Sequence, residues 1–193
     1  MHASWSILRA SGRRTLICYS HRMKEIVQNG HEALRRVAEP ITEELFGSEE
    51  LATMVAEMDE ALDAQPDGVA LAAPQIGLSK RIFLVRYDRM RPRTEEPLLK
   101  DLGVFINPEF VKTSRRMEVM DEGCLSVRKV YGKTMRHERA TVRARALDGS
   151  TFMRGAGGIL AQAFQHEIDH LDGVLFIDHA LDLHEVERIE PHA

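Results

Sequence analysis

Apolar residues recur at helical spacing in the segment that follows Gly47. Ser48 is a typical N-cap residue, and the two glutamates after it would face the positive end of a helix dipole. Pro66-Asp67-Gly68 then provides a stop signal. The stripe that predicts this amphipathic helix consists of Leu51, Met54, Val55, Met58, Ala61 and Leu62.

Short apolar runs and two-residue alternation predict strands elsewhere in the chain. Residues 81–86 form an apolar run, and residues 141–147 alternate polar and apolar side chains. Asp148-Gly149 is a turn signal between this second stretch and residues 150–154, so the pattern predicts a β-hairpin.

A second helix is predicted over residues 159–171. Glycines within residues 155–158 precede it, and Asp172-Gly173 follows its last apolar residue. Strands outnumber helices in this interpretation, and their order is not βαβ. The expected fold class is therefore α+β with antiparallel sheets.

The composition is that of one globular domain. The chain has 193 residues, 44% of them hydrophobic, and a formal net charge of −4, which disfavours a nucleic-acid binder because such proteins usually present a basic face. No stretch approaches the ~18 consecutive apolar residues of a transmembrane helix. Two cysteines are too few for a disulfide framework, so we expect a reducing compartment and a bacterial-type cytoplasmic protein.

The first 22 residues differ from the rest of the chain. They are rich in arginine and serine, contain no acidic residue and lack the apolar core of a secretory signal. One interpretation is a transit peptide for an organelle; the other, which we favour, is a disordered or misassigned leader with translation starting at Met23. We thus expect a leader over 1–22, a single folded domain over 23–180 and a polar tail over 181–193.

The strongest chemical signal lies on the second predicted helix, in Gln165-His166-Glu167-Ile168-Asp169-His170. Histidines four residues apart project from one helical face, so both imidazoles can reach a single metal ion. Glu167 would lie beside that ion, where a carboxylate can take a proton from water. The same spacing arises by chance, but two unpaired imidazoles in an otherwise apolar helix would be costly.

A metal site of this kind needs a third ligand. A metzincin would require histidine where this chain has Phe176, and the glutamates that follow His170 lie in a short polar stretch. Cys124 is a better candidate, since Gly123 before it lets the backbone approach closely. A thiolate with two imidazoles leaves one coordination position for water, as catalytic sites do. The alternative for Cys124 is a small buried apolar residue.

A third segment, Gly68–Gly77, combines small residues with Gln75 and by itself predicts a turn followed by a strand. Together with Glu122-Gly123-Cys124-Leu125-Ser126 and the helical motif, in this order, it resembles the three motifs of the peptide deformylase family. The resemblance extends from about Met23 to Asp178. It implies antiparallel β-sheets packed around the C-terminal helix that carries the histidines.

The resemblance also implies roles for individual residues. Cys124, His166 and His170 would hold the metal, and Glu167 would be the general base and acid. The Gln75 side chain and the Leu125 backbone N–H would stabilise an oxyanion, and losing one such donor typically costs about 2.7–4 kcal/mol of barrier. The residues implied in substrate binding are Val69, Ala70, Met120, Ile159 and Ala163, with Gln162 at the edge of a methionine pocket.

The reaction implied is removal of the N-formyl group from the N-terminal formyl-methionine of newly made polypeptides, with release of formate. A metal-activated water would attack the formyl carbon while Glu167 takes the proton and passes it to the departing amine. The expected cofactor is one Fe(II) per chain, for which nickel, cobalt or zinc would substitute. The implied partners are formyl-methionyl nascent peptides and the ribosome near its exit tunnel.

The chain departs from the family pattern at positions that are not implied metal ligands or catalytic groups. Ala70 stands where the family usually has glycine, Arg128 where it often has proline, and Tyr131 where an arginine is often found. These changes bear on substrate preference and rate. The resemblance also pairs Asp169 with Arg136, which suggests a structural role for that carboxylate.

Two other function classes stay open from the residues alone. One is a metallopeptidase of another clan, which Phe176 disfavours at the usual third ligand. The other is an inactive relative that binds peptide or metal, which the presence of Glu167, Gln75 and Cys124 disfavours. Processing of a formylated peptide, but not of an unformylated or acetylated one, would separate these classes.

Overall fold

The computed structural model describes residues 23–91 and 99–186. Within these ranges two α-helices and eight β-strands give an α+β fold, which confirms the predicted class. The helices are α1 (Glu49–Asp63) and α2 (Gly158–Leu171). The strands are β1 (Ala70–Ala72), β2 (Ile82–Arg86), β3 (Leu102–Thr113), β4 (Met117–Cys124), β5 (Val127–His137), β6 (Arg139–Arg145), β7 (Thr151–Gly157) and β8 (Leu181–Glu185).

The strands form two antiparallel sheets. The larger sheet has the order β1-β2-β3-β6-β7, and the smaller one has the order β4-β5-β8. Strands β1 and β4 are therefore both edge strands. Helix α2 contacts β1, β2, β6 and β7 of the larger sheet and β5 of the smaller sheet, as expected for a central C-terminal helix.

Aromatic side chains join α2 to the larger sheet. The rings of Phe83 and Phe105 stack with centroids 4.5 Å apart, and the ring of Phe164 on α2 lies 5.1 Å from that of Phe105. All three side chains are fully buried. Burial of one such side chain contributes about 1.5–3 kcal/mol, so this cluster fixes α2 against the sheet and orients its opposite face.

The helix and hairpin predicted from the pattern are both present. The Ser48 Oγ accepts a hydrogen bond from the Leu51 N–H at 3.1 Å, which is the expected N-cap. The apolar stripe of α1 is buried apart from the half-buried Met54, and it packs against Leu71 and Leu84. Strands β6 and β7 pair in antiparallel register, with Arg145 opposite Thr151.

Other local expectations need correction. In the segment Gly68–Gly77 the order is strand and then turn, because β1 precedes a 3₁₀ turn over Ala73–Ile76. Pro74 explains this order, since it lacks an N–H to continue a ladder. Most of the glycines expected to open α2 belong to β7 instead, and the helix begins at Gly158. Residues 181–185, expected in a polar tail, form β8 against β5.

No helix among the described residues is both long and apolar enough to span a membrane. The leader predicted over residues 1–22 lies outside the described residues. Residues 92–98 also lie outside the described residues.

Asp88 forms a buried ion pair that allows a prediction about acid stability. Its carboxylate accepts hydrogen bonds from Arg86 Nε at 2.9 Å and Arg86 Nη2 at 2.8 Å, and these bonds lower the pKa of Asp88 to about 2. A carboxyl whose pKa is lowered by folding stabilises the protein above its unfolded pKa and loses this contribution as the pH falls. The stabilisation is thus complete above about pH 4 and is lost toward pH 2.

We expect Asp88→Asn to reduce the free energy of unfolding by about 1–2 kcal/mol at pH 7. The difference from the unmodified protein should narrow steadily in urea titrations carried out between pH 4 and pH 2.5. Release of a metal in acid affects both proteins alike, so the difference between them is the quantity to follow. A difference that stays constant over this range would contradict the assignment.

Candidate metal centre and active site

Helix α2 presents apolar residues to the sheet and polar residues to a cavity. Phe164 and Leu171 are fully buried on the sheet side, whereas His166 and Glu167 line the cavity. His170 lies one turn after His166 and is also buried, and the two imidazole rings approach edge to face with centroids 4.8 Å apart. The i, i+4 spacing thus places both rings together, as the sequence predicted.

Cys124 reaches the same place from the smaller sheet. It is the last residue of β4, and the two-residue turn that follows leads into β5. Gly123 has a different role from the one expected: a Cβ atom at this position would lie 2.6 Å from Cε1 of Tyr131, so the absence of a side chain makes room for the Tyr131 ring. Close packing of that ring positions the end of β4.

The three predicted metal ligands converge. One donor atom from each of Cys124, His166 and His170 lies within 4.8 Å of the others, and the distance from Cys124 Sγ to His170 Nε2 is 3.1 Å. One sulfur and two imidazole nitrogens match the donor types that Zn²⁺, Fe²⁺ and related divalent ions prefer. The residues therefore fit a divalent metal ion bound by the protein through three side chains.

Glu122 holds His166 in the orientation that such a site requires. The His166 Nδ1 and Glu122 Oε1 are 2.6 Å apart, so the carboxylate accepts the Nδ1 proton and leaves Nε2 free as a ligand. Arg136 donates to the same carboxylate from Nε at 2.9 Å and from Nη2 at 2.6 Å. Thr134 Oγ1 and Gln162 Nε2 donate to Glu122 Oε2 at 2.6 Å and 3.3 Å.

The charges around the imidazoles favour a cation. Burial opposes protonation of His166, but hydrogen bonds with Cys124 and Glu122 outweigh it and raise the pKa of His166 well above its usual value. Burial together with the nearby His166 holds the pKa of His170 well below its usual value, so this ring is neutral. A position that attracts a proton in this way also suits a metal ion, and a neutral imidazole is the ligand form.

Glu122 is itself held in its charged form. Burial alone would raise the pKa of this carboxyl, but hydrogen bonds from Arg136 and His166 keep it well below the usual range. The sequence motif contained Glu122, yet no function was assigned to it. Its role depends on partners 14 and 44 residues away along the chain, so sequence spacing offers no signal for it.

The structure confirms the contact between Arg136 and Asp169 that the resemblance implied. Arg136 Nη1 donates to Asp169 Oδ2 at 2.7 Å, and the carboxylate side chain is 28% exposed. Arg136 therefore joins α2 to the smaller sheet through two carboxylates, Asp169 and Glu122. Asp169 is not among the residues that line the cavity.

We expect Asp169→Asn to lower stability more than turnover. Loss of a partly buried charged hydrogen bond costs about 1.5–3 kcal/mol, which corresponds to a decrease of several degrees in Tm for a chain of this size. The value of kcat/KM should stay within about threefold of the unmodified enzyme, because an interaction absent from the transition state does not alter that ratio. Equal melting temperatures in thermal unfolding would contradict this prediction.

Glu167 has the properties of a general base. It is 3% exposed, lines the cavity, and its Oε2 atom has no hydrogen-bond partner within the described residues. Burial raises the pKa of Glu167 to about 7. A carboxyl group with a pKa near neutrality and a free oxygen can both accept and return a proton near pH 7.

Gln75 directs an amide group toward the metal ligands. The Ala72 N–H donates to Gln75 Oε1 at 2.8 Å, which fixes the orientation of the amide. Its Nε2 then points to Cys124 Sγ at 3.6 Å and to Ser126 Oγ at 3.3 Å. Ser126, which the sequence analysis did not single out, also donates its backbone N–H to Cys124 Sγ at 3.4 Å and is fully buried.

The cavity beside these residues has a volume of about 270 Å³. The predicted substrate-binding residues Val69, Ala70, Ile159 and Ala163 line it, together with Gln75, Leu125 and Gln162. Met120 is the exception and lies outside the lining. It shares a face of β4 with Glu122 but stands two residues farther from Cys124, at about 3.3 Å per residue.

Helix α2 carries His166, Glu167 and His170 beside a cavity, and Cys124 converges on the two imidazoles. On an antiparallel α+β fold this arrangement is typical of a metal-dependent hydrolase. Comparison with known proteins identifies the family within this class. The profile of the family described as polypeptide deformylase matches residues 23–186.

Individual relatives agree with the family profile. A peptide deformylase of Acidobacterium capsulatum is 41% identical over 155 residues, which make up 80% of this chain and 85% of that protein. The structure of a peptide deformylase from Thermotoga maritima has a TM-score of 0.73 and 34% identity, and the match covers 84% of this chain and all of that one. A Met-Ala-Ser-bound class I type b peptide deformylase from Acinetobacter baumannii has a TM-score of 0.73 and 30% identity, covering 82% of this chain and 99% of that one.

The chain belongs to the polypeptide deformylase family. It is an enzyme that removes the N-formyl group from newly made polypeptides, and members of this family depend on a metal.

Proposed function

We propose that Cys124, His166 and His170 hold one Fe(II), and that Glu167 works beside it to release formate from formyl-methionyl peptides. The convergence of three donor atoms within 4.8 Å at a cavity lined by Glu167 carries this proposal. A divalent cation would act there as a Lewis acid, which lowers the pKa of water to near neutrality and polarises a carbonyl group. The thiolate donates charge to the metal, which suits Fe(II), while nickel, cobalt or zinc would substitute.

The substrate binds as an extended chain in the cavity. Strands β1 and β4 are edge strands, and residues of both line the cavity, so each offers unpaired backbone groups to a peptide. The methionine side chain lies against Val69, Ala163 and the half-exposed Ile159. In this arrangement the methyl group of Ala70 faces the backbone of the substrate.

Glu167 moves the proton in the reaction. Its unpartnered Oε2 removes a proton from the attacking water as oxygen bonds to the formyl carbon. The carboxyl group then passes this proton to the nitrogen of methionine, and the carbon–nitrogen bond breaks. The products are formate and a peptide with a free amino terminus, and Glu167 is again a carboxylate.

Gln75 and Leu125 stabilise the charge that develops on the formyl oxygen. The amide of Gln75 is fixed by the Ala72 N–H and is 1% exposed, so it is oriented before the substrate binds. Leu125 lies in the turn after Cys124 and lines the cavity, where its backbone N–H is the second donor. Donors that are already oriented stabilise a developing charge without the cost of reorganisation.

The wider setting follows from the same proposal. One catalytic domain begins at residue 23, after a leader over residues 1–22, and extends past residue 180 to include β8. The substrate is a chain that has just been synthesised, so the enzyme acts in the cytoplasm, near the peptide exit of the ribosome. A transit function of the leader would instead place it in an organelle.

Formate release from formyl-Met-Ala-Ser tests the proposed function. The protein is prepared without oxygen and loaded with Fe(II) or Ni(II), and acetyl-Met-Ala-Ser and unformylated Met-Ala-Ser are compared in parallel. We expect formate from the first peptide alone, with loss of turnover when a chelator removes the metal and recovery when the metal is returned. Cleavage of the Met-Ala bond, or stoichiometric metal binding by the folded protein without formate, would contradict the proposal.

A further inference from the structure

Two basic residues stand at the rim of the cavity, immediately after the turn that follows Cys124. Arg128 and Lys129 both line the cavity, and Cys124 is the register partner of Val127, the residue before them. Arg128 Nη1 donates to Asp67 Oδ2 at 2.7 Å, and Nη2 donates to Gln65 Oε1. The guanidinium group therefore joins the start of β5 to the loop between α1 and β1, across the mouth of the cavity.

The backbone holds this rim in place. Lys129 has a left-handed conformation with φ of 68°, and its carbonyl oxygen accepts the Val186 N–H at 2.8 Å, at the end of β8. Its side chain is exposed, and no carboxylate among residues 23–91 and 99–186 lies within ion-pair distance of its ammonium group. Two cations thus stand at the rim with one paired carboxylate, Asp67.

The other acidic side chains of the cavity do not neutralise these cations. Glu122 is buried and paired with Arg136, and Glu167 is buried at the reaction centre. Asp121 also lines the cavity and is exposed, but no ion pair within the described residues joins it to Arg128 or Lys129. The rim formed by Arg128 and Lys129 is therefore the basic part of the cavity, whereas the inner end is neutral or acidic.

A peptide with its formyl group at Glu167 must leave the cavity past this rim. Each extended residue advances the chain by about 3.3 Å, and Arg128 follows a residue that pairs with Cys124. The side chains of the first residues after methionine therefore come within reach of a flexible arginine or lysine side chain. An acidic side chain there would meet two cations, of which only Arg128 is paired with a carboxylate, that of Asp67.

We propose that Arg128 and Lys129 form a subsite that favours formyl-methionyl peptides with an acidic side chain at one of the two residues after methionine. This inference rests on the proposed function. Both side chains of the Arg128–Asp67 ion pair are exposed, 39% for the arginine and 59% for the aspartate. Because an exposed ion pair contributes little free energy, a substrate carboxylate can displace Asp67 from Arg128. Asp67 thereby acts as an internal competitor of the substrate.

Kinetics with two peptide series test the subsite. The series are formyl-Met-X-Ala-Ser and formyl-Met-Ala-X-Ser, where X is Glu, Gln or Lys, and the C-terminus is amidated to remove its charge. At low salt we expect kcat/KM for X = Glu to exceed that for X = Lys by roughly three- to fivefold per ion pair in one series, the size of an exposed interaction. The ratio should approach one in 1 M salt, where the Debye length falls to about 3 Å and exposed charges no longer attract each other appreciably.

Variants separate the subsite from general charge effects. Arg128→Gln should lower the ratio of kcat/KM for X = Glu to that for X = Lys toward one. Asp67→Asn should increase this ratio, because it removes the carboxylate that competes with the substrate for Arg128. Arg143→Gln removes an exposed arginine paired with Glu109 on the larger sheet and should leave the ratio unchanged. With X = Gln, Arg143→Gln should turn over at the rate of the unmodified enzyme.

The outcomes distinguish the subsite from the proposed function. Formate release with X = Gln but an equal rate for Glu and Lys in both series would overturn the subsite and leave the deformylase function intact. The same is true of a ratio that Arg128→Gln does not change. Absence of formate from every peptide would overturn the proposed function itself.

Discussion

Glu167→Gln is expected to lower kcat/KM for formyl-Met-Ala-Ser by a factor of about 10² to 10⁴, the contribution of a positioned general base and acid. The amide cannot take a proton from water or deliver one to the methionine nitrogen. Glu167 is buried without a partner for Oε2, and burial raises its pKa to about 7. Replacement by a neutral side chain of the same shape should therefore leave stability unchanged or slightly increased.

Metal content and a matched substitution complete this test. Because Glu167 is not among the three converging donors, the variant should bind one metal ion per chain, as measured by mass spectrometry of acid-released metal. Glu109→Gln makes the same chemical change on the exposed part of β3 and should not alter formate release. A Glu167→Gln enzyme with more than a tenth of the original kcat/KM would contradict the role as base.

Glu122→Gln should give the largest loss of stability, about 3–5 kcal/mol, because the buried Arg136 would keep only the partly exposed Asp169 as a charged partner. Arg136 is 5% exposed and donates to Glu122 through two nitrogens. An amide at this position offers one acceptor oxygen where the carboxylate offers two. Its NH₂ group would face an N–H donor of Arg136 or His166, with which it cannot form a hydrogen bond. The free energy of unfolding by urea measures the effect.

The same substitution should also weaken metal binding. The Glu122 carboxylate orients His166 through the Nδ1 contact at 2.6 Å, and loss of such a contact typically reduces metal affinity by about 10- to 100-fold. Glu109→Gln, which breaks the exposed pair with Arg143, is the matched control and should cost at most about 1 kcal/mol.

A milder variant keeps the prediction testable if Glu122→Gln does not fold. Thr134→Val removes the hydrogen bond from Thr134 Oγ1 to Glu122 Oε2, at 2.6 Å, and leaves Arg136 and His166 in place. It should cost about 1.5–3 kcal/mol with metal affinity nearly unchanged. Equal stability of the Glu122→Gln and Glu109→Gln proteins would show that the Glu122 network does not hold α2 against the smaller sheet.

Local pattern was a reliable guide where the backbone itself sets the geometry. The 3.6-residue period brought His166 and His170 onto one face of α2, and Ser48 capped α1 as its side-chain chemistry predicts. The alternation in β6 and β7 correctly predicted a hairpin. The local pattern was a less reliable guide in Gly68–Gly77, where the strand precedes the turn that contains Pro74.

The position of Cys124 shows the limit of sequence reasoning. A thiolate is a good ligand wherever it occurs, but its value here depends on a distance of 3.1 Å to a nitrogen 46 residues later in the chain. The three family motifs implied that Cys124 lies beside His166 and His170. Spacing alone left Cys124 as either a metal ligand or a small buried residue. Burial of α2 between the two sheets brings the residues together.

By itself, the sequence determined the α+β class, the donor face of α2 and, through its three motifs, the family. The tertiary structure decided that Glu122 bonds His166, that Met120 lies outside the cavity lining and that Arg128 reaches Asp67 across the mouth. The physical reason is that helical and strand periods are properties of neighbouring residues. Contacts between the sheets depend on packing and on charges that meet only when the whole domain has folded.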